Sequence, residues 1–420
     1  MIKIGDYFQA FATKVLVAVD VDKLTSHQHE FNGSEAFRVM LGRPSGKVYL
    51  PTRMAYLDDD QEDLPELFET SLTWYDAREN HPTRSPEFRL LYLTAAEHVI
   101  FRAKVGDSMF LAMEPDGGLI LVIAKQGSTI LRQLQWIFDV PVASELMRIM
   151  TRMDHQPDRE EIAGEELLAL LGIEVDLGDD HLELILKRFS TKLWPSTTDF
   201  AQFARSLVKD ADPESDPDAA LMRWVTMEHR LFRMLEKYRI SESIAGGFVS
   251  ADGSVDVDAF LKLSLSVHNR RKSRAGLSLE EHLAAVFQAN AVVFVKKAKT
   301  EGKKEPDFLF PSKSAYDDLT FPPALLTMLG VKTTLKDRWR QVLNEADRVP
   351  EKHLLTLQPA ISEGQTAEMR AEHLQLVIPK ELHSQAFSSK QQEWLMSVAE
   401  FISQVKLRQS AAPPVTGTLI

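Results

Sequence analysis

Residues 325–347, LLTMLGVKTTLKDRWRQVLNEAD, place an apolar run directly before a polar stretch with helical spacing. The run from Leu325 to Thr333 is short and rich in apolar residues, which predicts a buried strand with Lys332 at its end. Lys336 to Ala346 is predicted as a helix. A buried strand that leads directly into a helix is typical of a sheet covered by helices, so this stretch favours an α/β core.

Strands and helices alternate on both sides of this stretch. Further strands are predicted at 291–295, 306–310, 353–357 and 374–378, and helices at 182–189, 199–208, 219–238, 257–267, 279–289 and 391–405. We therefore predict an α/β domain over residues 182–412.

The first 140 residues have a different pattern, which predicts a mostly β domain. Short apolar stretches, separated by turn residues, predict strands at 47–50, 88–93, 98–102 and 119–124. Glu114-Pro-Asp-Gly-Gly118 is predicted as a hairpin turn between two apolar runs. This spacing favours a barrel or a sandwich over residues 1–140. Residues 141–181 are polar around one short amphipathic stretch, so we expect a linker with one helix there.

Composition excludes several classes of protein. The chain of 420 residues has no cysteine, which excludes disulfides, thiolate zinc sites, iron–sulfur clusters and thiol nucleophiles. The absence of cysteine fits a reducing cytoplasm, the location we expect. No apolar run reaches the ~20 residues that span a bilayer, and Met1 to Asp6 does not begin a secretory signal. We therefore expect no association with membranes.

The net charge of −12 hides a local excess of basic residues. Between residues 270 and 304 there are nine lysines and arginines against three glutamates. Phosphate binding depends on such a local basic face rather than on the total charge of the chain. The run from Asn269 to Arg274 is either a phosphate contact or a solvated surface turn.

Four residues have the chemistry of a metal-assisted hydrolase: Glu280, Asp307, Lys332 and Glu345. Asp307 begins a predicted strand, Lys332 ends the next one, and Glu345 lies on the following helix. Carboxylates are hard oxygen ligands for Mg²⁺, and a lysine beside them can orient water or stabilise charge on phosphorus. By spacing alone, ordinary surface salt bridges explain the same residues.

Two further motifs bear on ligand chemistry. Lys336-Asp337-Arg338 is either a solvated helix start or a reader of C·G pairs, because a carboxylate accepts from cytosine N4 and cationic side chains donate to guanine. Gly330-Val-Lys-Thr-Thr334 lacks the glycine directly before the lysine that a phosphate loop needs. We therefore expect no nucleotide cofactor.

Several ordered blocks resemble the carboxy-terminal catalytic domain of EcoRII-like type II restriction endonucleases. They are residues 266–280, 305–312, 315–316, 332–347 and 353–358, and the likeness extends from about 182 to 408. The resemblance implies the α/β restriction-endonuclease (PD-(D/E)xK) fold. In this branch the last acidic residue has moved from beside the lysine onto the next helix, which fits Glu345.

The resemblance also implies roles for individual residues. Glu280, Asp307 and Glu345 correspond to the acidic metal-site residues and Lys332 to the catalytic lysine, with Glu281 as the alternative to Glu280. Tyr316 matches a tyrosine placed near the active site. DNA contacts are implied for Arg271 and for the reading segment Lys336, Asp337 and Arg338.

Residues 1–140 resemble the EcoRII amino-terminal domain more loosely. That likeness implies a β pseudobarrel that binds a second DNA copy as effector and otherwise blocks the cleft. Arg53, Arg78, Arg84 and Arg89 are its candidate DNA contacts, and each is also explained as a plain surface arginine.

The combined prediction is a Mg²⁺-dependent homodimer that cuts double-stranded DNA at a CCNGG- or CCWGG-like site. Two alternatives stay open: a DNA-binding regulator on a silent nuclease scaffold, and a defence nuclease with a different trigger.

Overall fold

The computed structural model describes residues 3–21, 29–33, 35–59, 67–81, 83–140, 148–151, 161–173, 175, 181–189, 194–249, 254–335 and 339–412. The chain divides into two compact units. The first comprises residues 1–175 and 359–365, and the second comprises residues 176–358 and 366–420.

The first unit is mostly β, as predicted. Its elements are β1 (Ala10–Val15), α1 (Ala18–Val21), β2 (Glu30–Asn32), α2 (Glu35–Leu41), β3 (Val48–Leu57), β4 (Phe68–Asp76), β5 (Phe88–Leu91), α3 (Glu97–Ile100), β6 (Ser108–Met113), β7 (Leu119–Ala124), α4 (Thr129–Ile137), β8 (Arg148–Thr151) and α5 (Glu161–Leu170). Among the described residues, one eight-stranded sheet has the order β2-β5-β4-β3-β7-β6-β1-β8.

Two sequence predictions for this unit have different outcomes. The hairpin at 114–118 is confirmed, because β6 and β7 pair antiparallel from Met113 and Leu119 and Gly117 takes a φ of 89°. The strand predicted at 98–102 is wrong, since Glu97–Ile100 is a helix. Val99 and Ile100 are buried on its inner side, so the apolar run packs against the sheet without joining it.

The second unit combines long helices with a small mixed sheet. Its elements are α6 (Leu182–Arg188), α7 (Thr197–Leu207), α8 (Pro217–Ala245), α9 (Val257–Ala289), β9 (Val295–Lys296), β10 (Phe308–Phe310), α10 (Lys313–Asp317), β11 (Thr327–Val331), α11 (Trp339–Val342), β12 (Lys352–Leu355), α12 (Glu363–Ala371, which begins in the segment grouped with the first unit), β13 (Leu374–Val377), α13 (Lys380–Ala386), α14 (Ser389–Gln392) and α15 (Val398–Ser410).

The five strands of this sheet, in the described part of the chain, have the order β13-β12-β11-β10-β9. β10 runs antiparallel to both neighbours, whereas β11, β12 and β13 are parallel to one another. The predicted α/β fold is confirmed. Because β10 and β11 are antiparallel, the start of β10 lies beside the end of β11, and this pairing brings Asp307 to Lys332.

Aromatic packing fixes α9 and α15 to the sheet. Phe287 of α9 lies 5.3 Å from Phe308 and 5.5 Å from Phe310, measured between ring centroids. Phe401 of α15 lies 5.6 Å from Phe310. These rings are buried, and edge-to-face pairs of this kind add about 0.5–1.5 kcal/mol each beyond the burial of their area. The packing fixes the rotation of α9 and therefore the direction of Glu280.

The helices predicted at 257–267 and 279–289 are one helix, α9, of 33 residues. The run at 269–274, predicted to be a surface turn or a phosphate contact, lies in the middle of it, so the turn is wrong. No proline interrupts the segment, and a Cβ added at Gly276 would meet nothing within 4 Å. Asp256 begins the helix by accepting from the Ala259 backbone N–H at 2.9 Å.

Candidate active site

Asp307 and Lys332 meet at one edge of the second unit's sheet. Asp307 directly precedes β10 and Lys332 directly follows β11. The Lys332 Nζ lies 3.2 Å from Asp307 Oδ2, and the Val331 backbone N–H donates to the same oxygen at 2.6 Å. A charged donor and a backbone donor thus hold one carboxylate oxygen, which fixes the Asp307 rotamer.

Glu345 lies in the turn after α11, so the predicted helix to Ala346 is wrong at its end, because α11 already ends at Val342. Burial raises the pKa of Glu345 to about 7; the Lys332 ammonium opposes that rise and the Asp307 charge adds to it. Both charges therefore act on the Glu345 carboxylate. Within the described residues, the buried Oε2 of Glu345 has no hydrogen-bond partner. A buried carboxylate oxygen without a donor is a group that a cation or bound water can satisfy.

Gly330 allows this cluster to form. A Cβ at Gly330 would lie 2.9 Å from Val342 Cγ2 and 3.0 Å from Val342 Cγ1. The absence of a side chain therefore lets α11 pack close against β11. The turn that carries Glu345 follows α11, so this close approach brings Glu345 near the end of the strand.

Glu280 faces the same edge from α9. Its Oε2 lies 3.0 Å from the Lys297 Nζ. Burial raises the pKa of Glu280, the hydrogen bond from Lys297 opposes that rise, and the Asp307 charge adds to it. Glu281, the alternative from sequence, forms an ion pair with Lys296 instead. Of the two glutamates, Glu280 is the one whose pKa responds to the Asp307 charge.

Tyr316 contacts the turn that follows Glu345 rather than the acid–lysine pair itself. Its hydroxyl donates to Glu301 Oε1 at 2.5 Å and accepts from the Arg348 backbone N–H at 3.3 Å. Burial and the hydrogen bond to Glu301 raise the pKa of Tyr316. The single phenolic proton is thus engaged with Glu301 rather than with Asp307 or Glu345.

Arg271 packs against α8. Its Nε and Nη2 each lie 2.7 Å from Oε2 of Glu236, whose side chain is 1 % exposed, while the Arg271 side chain remains 43 % exposed. Arg270, in the same run, stacks on Trp194 at 4.1 Å from the ring centroid. Lys336, Asp337 and Arg338 lie outside the described residues.

Three of the four candidate arginines of the first unit form ion pairs within that unit. Arg53 lies 2.7 Å from Glu114, and Arg78 and Arg89 both bind Glu87. Arg84 lies in the turn before β5 and is exposed. These pairs leave the arginines near the surface but already neutralised in part.

The donors at this edge suit a hard divalent cation. Asp307 and Glu345 supply carboxylate oxygens, and the Glu345 oxygen without a donor fits a cation or its water. In the part of the chain that the structure describes, no three acidic or histidine side chains converge closely enough to form a complete cage. Mg²⁺ requires no such cage, since it is held by one or two carboxylates together with water and substrate phosphate.

Sequence reasoning missed Lys297, Glu301 and Lys352. Lys297 was only counted among the basic residues of 270–304, although it pairs with Glu280. Glu301 and Lys352 contact the turn after Glu345. Their role depends on backbone groups of a distant turn, and the sequence carries no signal for such contacts.

Comparisons with known proteins support the resemblance seen in the sequence. Residues 232–402 match the family model described as EcoRII C terminal. The type II restriction enzyme EcoRII of Escherichia coli is 44% identical over 214 residues, which cover 50% of this chain and 50% of that protein. The chain thus matches about half the length of this curated relative.

Two solved structures are similar at lower identity. Metal-depleted Ecl18kI in complex with uncleaved DNA has a TM-score of 0.44 and 16% identity, covering 57% of this chain and 88% of that one. The PspGI–substrate DNA complex has a TM-score of 0.41 and 12% identity, covering 52% and 94%. Among the helices the structure describes, none has the length and apolar character needed to cross a bilayer.

Proposed function

From the match of residues 232–402 to the family model described as EcoRII C terminal, we propose that the chain is a type II restriction endonuclease. It hydrolyses phosphodiester bonds of double-stranded DNA with Mg²⁺. The observation that supports this most strongly is the pairing of Lys332 with Asp307, beside the buried carboxylate of Glu345.

In this proposal Asp307 and Glu345 hold the cation, and Glu280 assists from α9. The cation, when bound, polarises the phosphate and lowers the pKa of an attacking water. Lys332 orients that water and stabilises the charge that develops on the phosphoryl oxygens. Its position is defined by Asp307, which also accepts from the Val331 backbone.

Glu345 must release its proton before it can bind a cation. Burial disfavours its charged form, whereas the nearby Lys332 ammonium favours it. A divalent cation at the same place would favour the carboxylate much more strongly, so the site is expected to lose a proton as it is loaded.

We propose a CCNGG- or CCWGG-like target for this enzyme. Lys336, Asp337 and Arg338 would read the outer C·G pairs, because an aspartate accepts from cytosine N4 and the cationic side chains donate to guanine O6 and N7. This segment directly precedes α11 and is only a few residues from Lys332 in the chain. Arg271 would contact the DNA with the exposed part of its guanidinium.

We also propose that the enzyme acts as a homodimer. One chain supplies one acid–lysine cluster, and cutting both strands of a duplex in one encounter requires two. The second unit exposes an apolar surface that we name the hairpin tip, formed by the end of α8 and the start of α9: Ile244, Val249, Val255, Val257, Phe260, Leu261 and Leu265. Several exposed apolar side chains in one stretch of chain fit a contact between identical copies.

For the first unit we propose effector binding: a second DNA copy binds it and relieves inhibition of cleavage. The support is its mostly β fold and its likeness to the EcoRII amino-terminal domain. A plasmid with one target should then be cut slowly, and an added oligonucleotide that carries the target should accelerate cutting.

The cysteine-free composition supports a cytoplasmic location.

Digestion of a randomised plasmid library with Mg²⁺, followed by sequencing of the new ends, tests the proposal. We expect ends that share one short near-palindromic site. A protein that protects such a site from other nucleases without cutting it would be the silent regulator, and the proposal would be wrong. Cutting only after addition of a cellular trigger unrelated to DNA would favour the defence nuclease.

A further inference from the structure

The turn that carries Glu345, residues 345–349, has an unusual backbone. Ala346 takes a φ of +49°, a left-handed conformation that non-glycine residues rarely adopt. The conformation costs on the order of 1 kcal/mol or more, so the surrounding groups must hold it. Because Glu345 directly precedes Ala346, the direction of its carboxylate depends on this turn.

Lys352 holds the turn from the sheet side. Its Nζ donates to the Ala346 carbonyl at 2.6 Å and to the Val349 carbonyl at 2.7 Å. The residue is the first of β12, where its backbone N–H donates to the His373 carbonyl at 3.1 Å. The ammonium is thus a buried cation anchored in the parallel sheet, and it binds both ends of the turn.

Glu301 and Tyr316 hold the turn from the opposite side. Glu301 Oε2 accepts from the Asp347 backbone N–H at 3.3 Å, and its Oε1 accepts from the Tyr316 hydroxyl. The same hydroxyl accepts from the Arg348 backbone N–H at 3.3 Å. Four consecutive residues, 346–349, are therefore bound by three side chains from separate parts of the chain.

Burying an ammonium group costs desolvation free energy, which an ordinary surface turn does not require. Burial lowers the pKa of Lys352, and the charges of Asp347, Glu301 and Glu345 oppose that shift. An apolar side chain would avoid the desolvation of the ammonium but would leave two carbonyls without this donor. This desolvation cost is consistent with a turn whose geometry matters more than its contribution to stability.

We propose that Lys352 is a positioning residue for the cation site. It holds the left-handed turn from which the Glu345 side chain extends, and it touches neither DNA nor the cation. Glu301 and Tyr316 secure the other side of the same turn. This inference rests on the proposed function, because it assumes that Glu345 binds the cation.

The central test is the variant Lys352→Met, which keeps the apolar stem and removes both hydrogen bonds to the turn. We expect kcat to fall about 10- to 100-fold, the range seen when groups that orient metal ligands are lost, with DNA affinity within about twofold of the native protein. Lys313→Met is the control, because Lys313 is partly exposed and its ion pair is with Asp317 of its own helix, α10.

Mn²⁺ binding gives a readout independent of cleavage. It is measured as the decrease of the electron paramagnetic resonance signal of free Mn²⁺. We expect weaker binding for both Lys352→Met and Glu345→Gln. Because Lys352 acts through Glu345, the double variant should bind and cut no worse than Glu345→Gln alone. Additive losses in the double variant, or unchanged Mn²⁺ binding by Lys352→Met, would overturn the proposal.

Tyr316→Phe tests the same proposal with a second variant, in case Lys352→Met does not fold. It removes the bridge between Glu301 and Arg348 while keeping the ring, so it should weaken Mn²⁺ binding in the same direction by a smaller factor. Unchanged Mn²⁺ binding by a folded Tyr316→Phe would also contradict the proposal that these side chains hold the turn for cation binding. If the native protein binds Mn²⁺ but cuts no DNA, the proposed function is wrong. The comparison of Mn²⁺ binding among the variants still tests whether Lys352 positions the cation site.

Discussion

The ammonium of Lys332 lies 3.2 Å from Oδ2 of Asp307, although 25 positions separate the two residues in the chain. The antiparallel pairing of β10 with β11 produces this contact, because it places the start of one strand beside the end of the other. The Val331 N–H, which donates to the same oxygen at 2.6 Å, makes Asp307 part of the fold as well as of the site.

Two variants of Asp307 should separate these roles. Asp307→Asn keeps an oxygen that accepts from Val331 but loses the charge, so the protein should fold normally and lose at least about 10²-fold in cleavage rate. Asp307→Ala also removes the acceptor, and an unsatisfied N–H costs about 1–3 kcal/mol. Thermal unfolding and cleavage assays measure both; equal activity of Asp307→Asn and the native enzyme would refute the role in cation binding.

Glu280 and Glu281 offer a comparison between neighbours on one helix. Glu280→Gln should lower the cleavage rate and raise the Mg²⁺ concentration needed for half-maximal activity, since the charges of Glu280 and Asp307 interact. Glu281→Gln breaks only the ion pair with Lys296 and should have a much smaller effect. A Mg²⁺ titration of cleavage rates measures both variants. The opposite ranking would assign the assisting role to Glu281.

The pH dependence of stability tests the burial of Glu345. Its pKa is raised from 4.5 to about 7 in the folded state, so the folded protein binds that proton more tightly than the unfolded chain does. The resulting stability is fully present below pH 4.5 and is lost as the pH rises through about 7. In metal-free buffer, Glu345→Gln should therefore unfold at a higher temperature than the native protein at pH 8.5, by a few degrees.

The advantage of Glu345→Gln should shrink as the pH falls to 5, where the native carboxyl is protonated in the folded protein. It should also shrink when Mg²⁺ is added, because the cation stabilises the native carboxylate. Glu372→Gln, on an exposed residue, is the control. A difference in unfolding temperature that does not change between pH 5 and pH 8.5 would contradict a buried, charge-disfavouring Glu345.

The hairpin tip can be tested by adding charge. Leu261 and Leu265 are 50% and 63% exposed and lie on one face of α9, four residues apart. The double variant Leu261→Glu and Leu265→Glu should convert dimers to monomers in light scattering, with little change in unfolding temperature. It should also nick DNA in place of cutting both strands. Leu407→Glu, at an exposed position of α15, is the control, and a dimer that survives the double variant would place the interface elsewhere.

The positions of Asp307 and Lys332 at neighbouring strand ends could be predicted from sequence because strand ends carry a local signal, whereas their roles are implied by the family resemblance. A proline–aspartate pair marks the start of one apolar run, and a lysine marks the end of the next. Antiparallel neighbours bring such ends together. Glu280 and Glu281 were harder to separate, since the rotation of α9 depends on how Phe287 packs against Phe308 and Phe310.

Tertiary contacts decided the rest. The predicted surface turn at 269–274 is helical, and Arg271 is paired with Glu236, which lies 35 positions earlier on α8. Neighbouring residues cannot indicate which charge on another helix will face an arginine. The direction of Glu345 depends on the left-handed Ala346 and on Lys352, and nothing in the local sequence favours a positive φ for alanine.

The most direct test of the account is a comparison of the native protein with Lys332→Ala on plasmid DNA in the presence of Mg²⁺. The account predicts that the native protein produces defined double-strand breaks. Lys332→Ala should bind the same DNA with similar affinity in a gel-shift assay and cut at least about 10²–10³-fold more slowly. A Lys332→Ala protein that cuts at the native rate would contradict the assignment of the site.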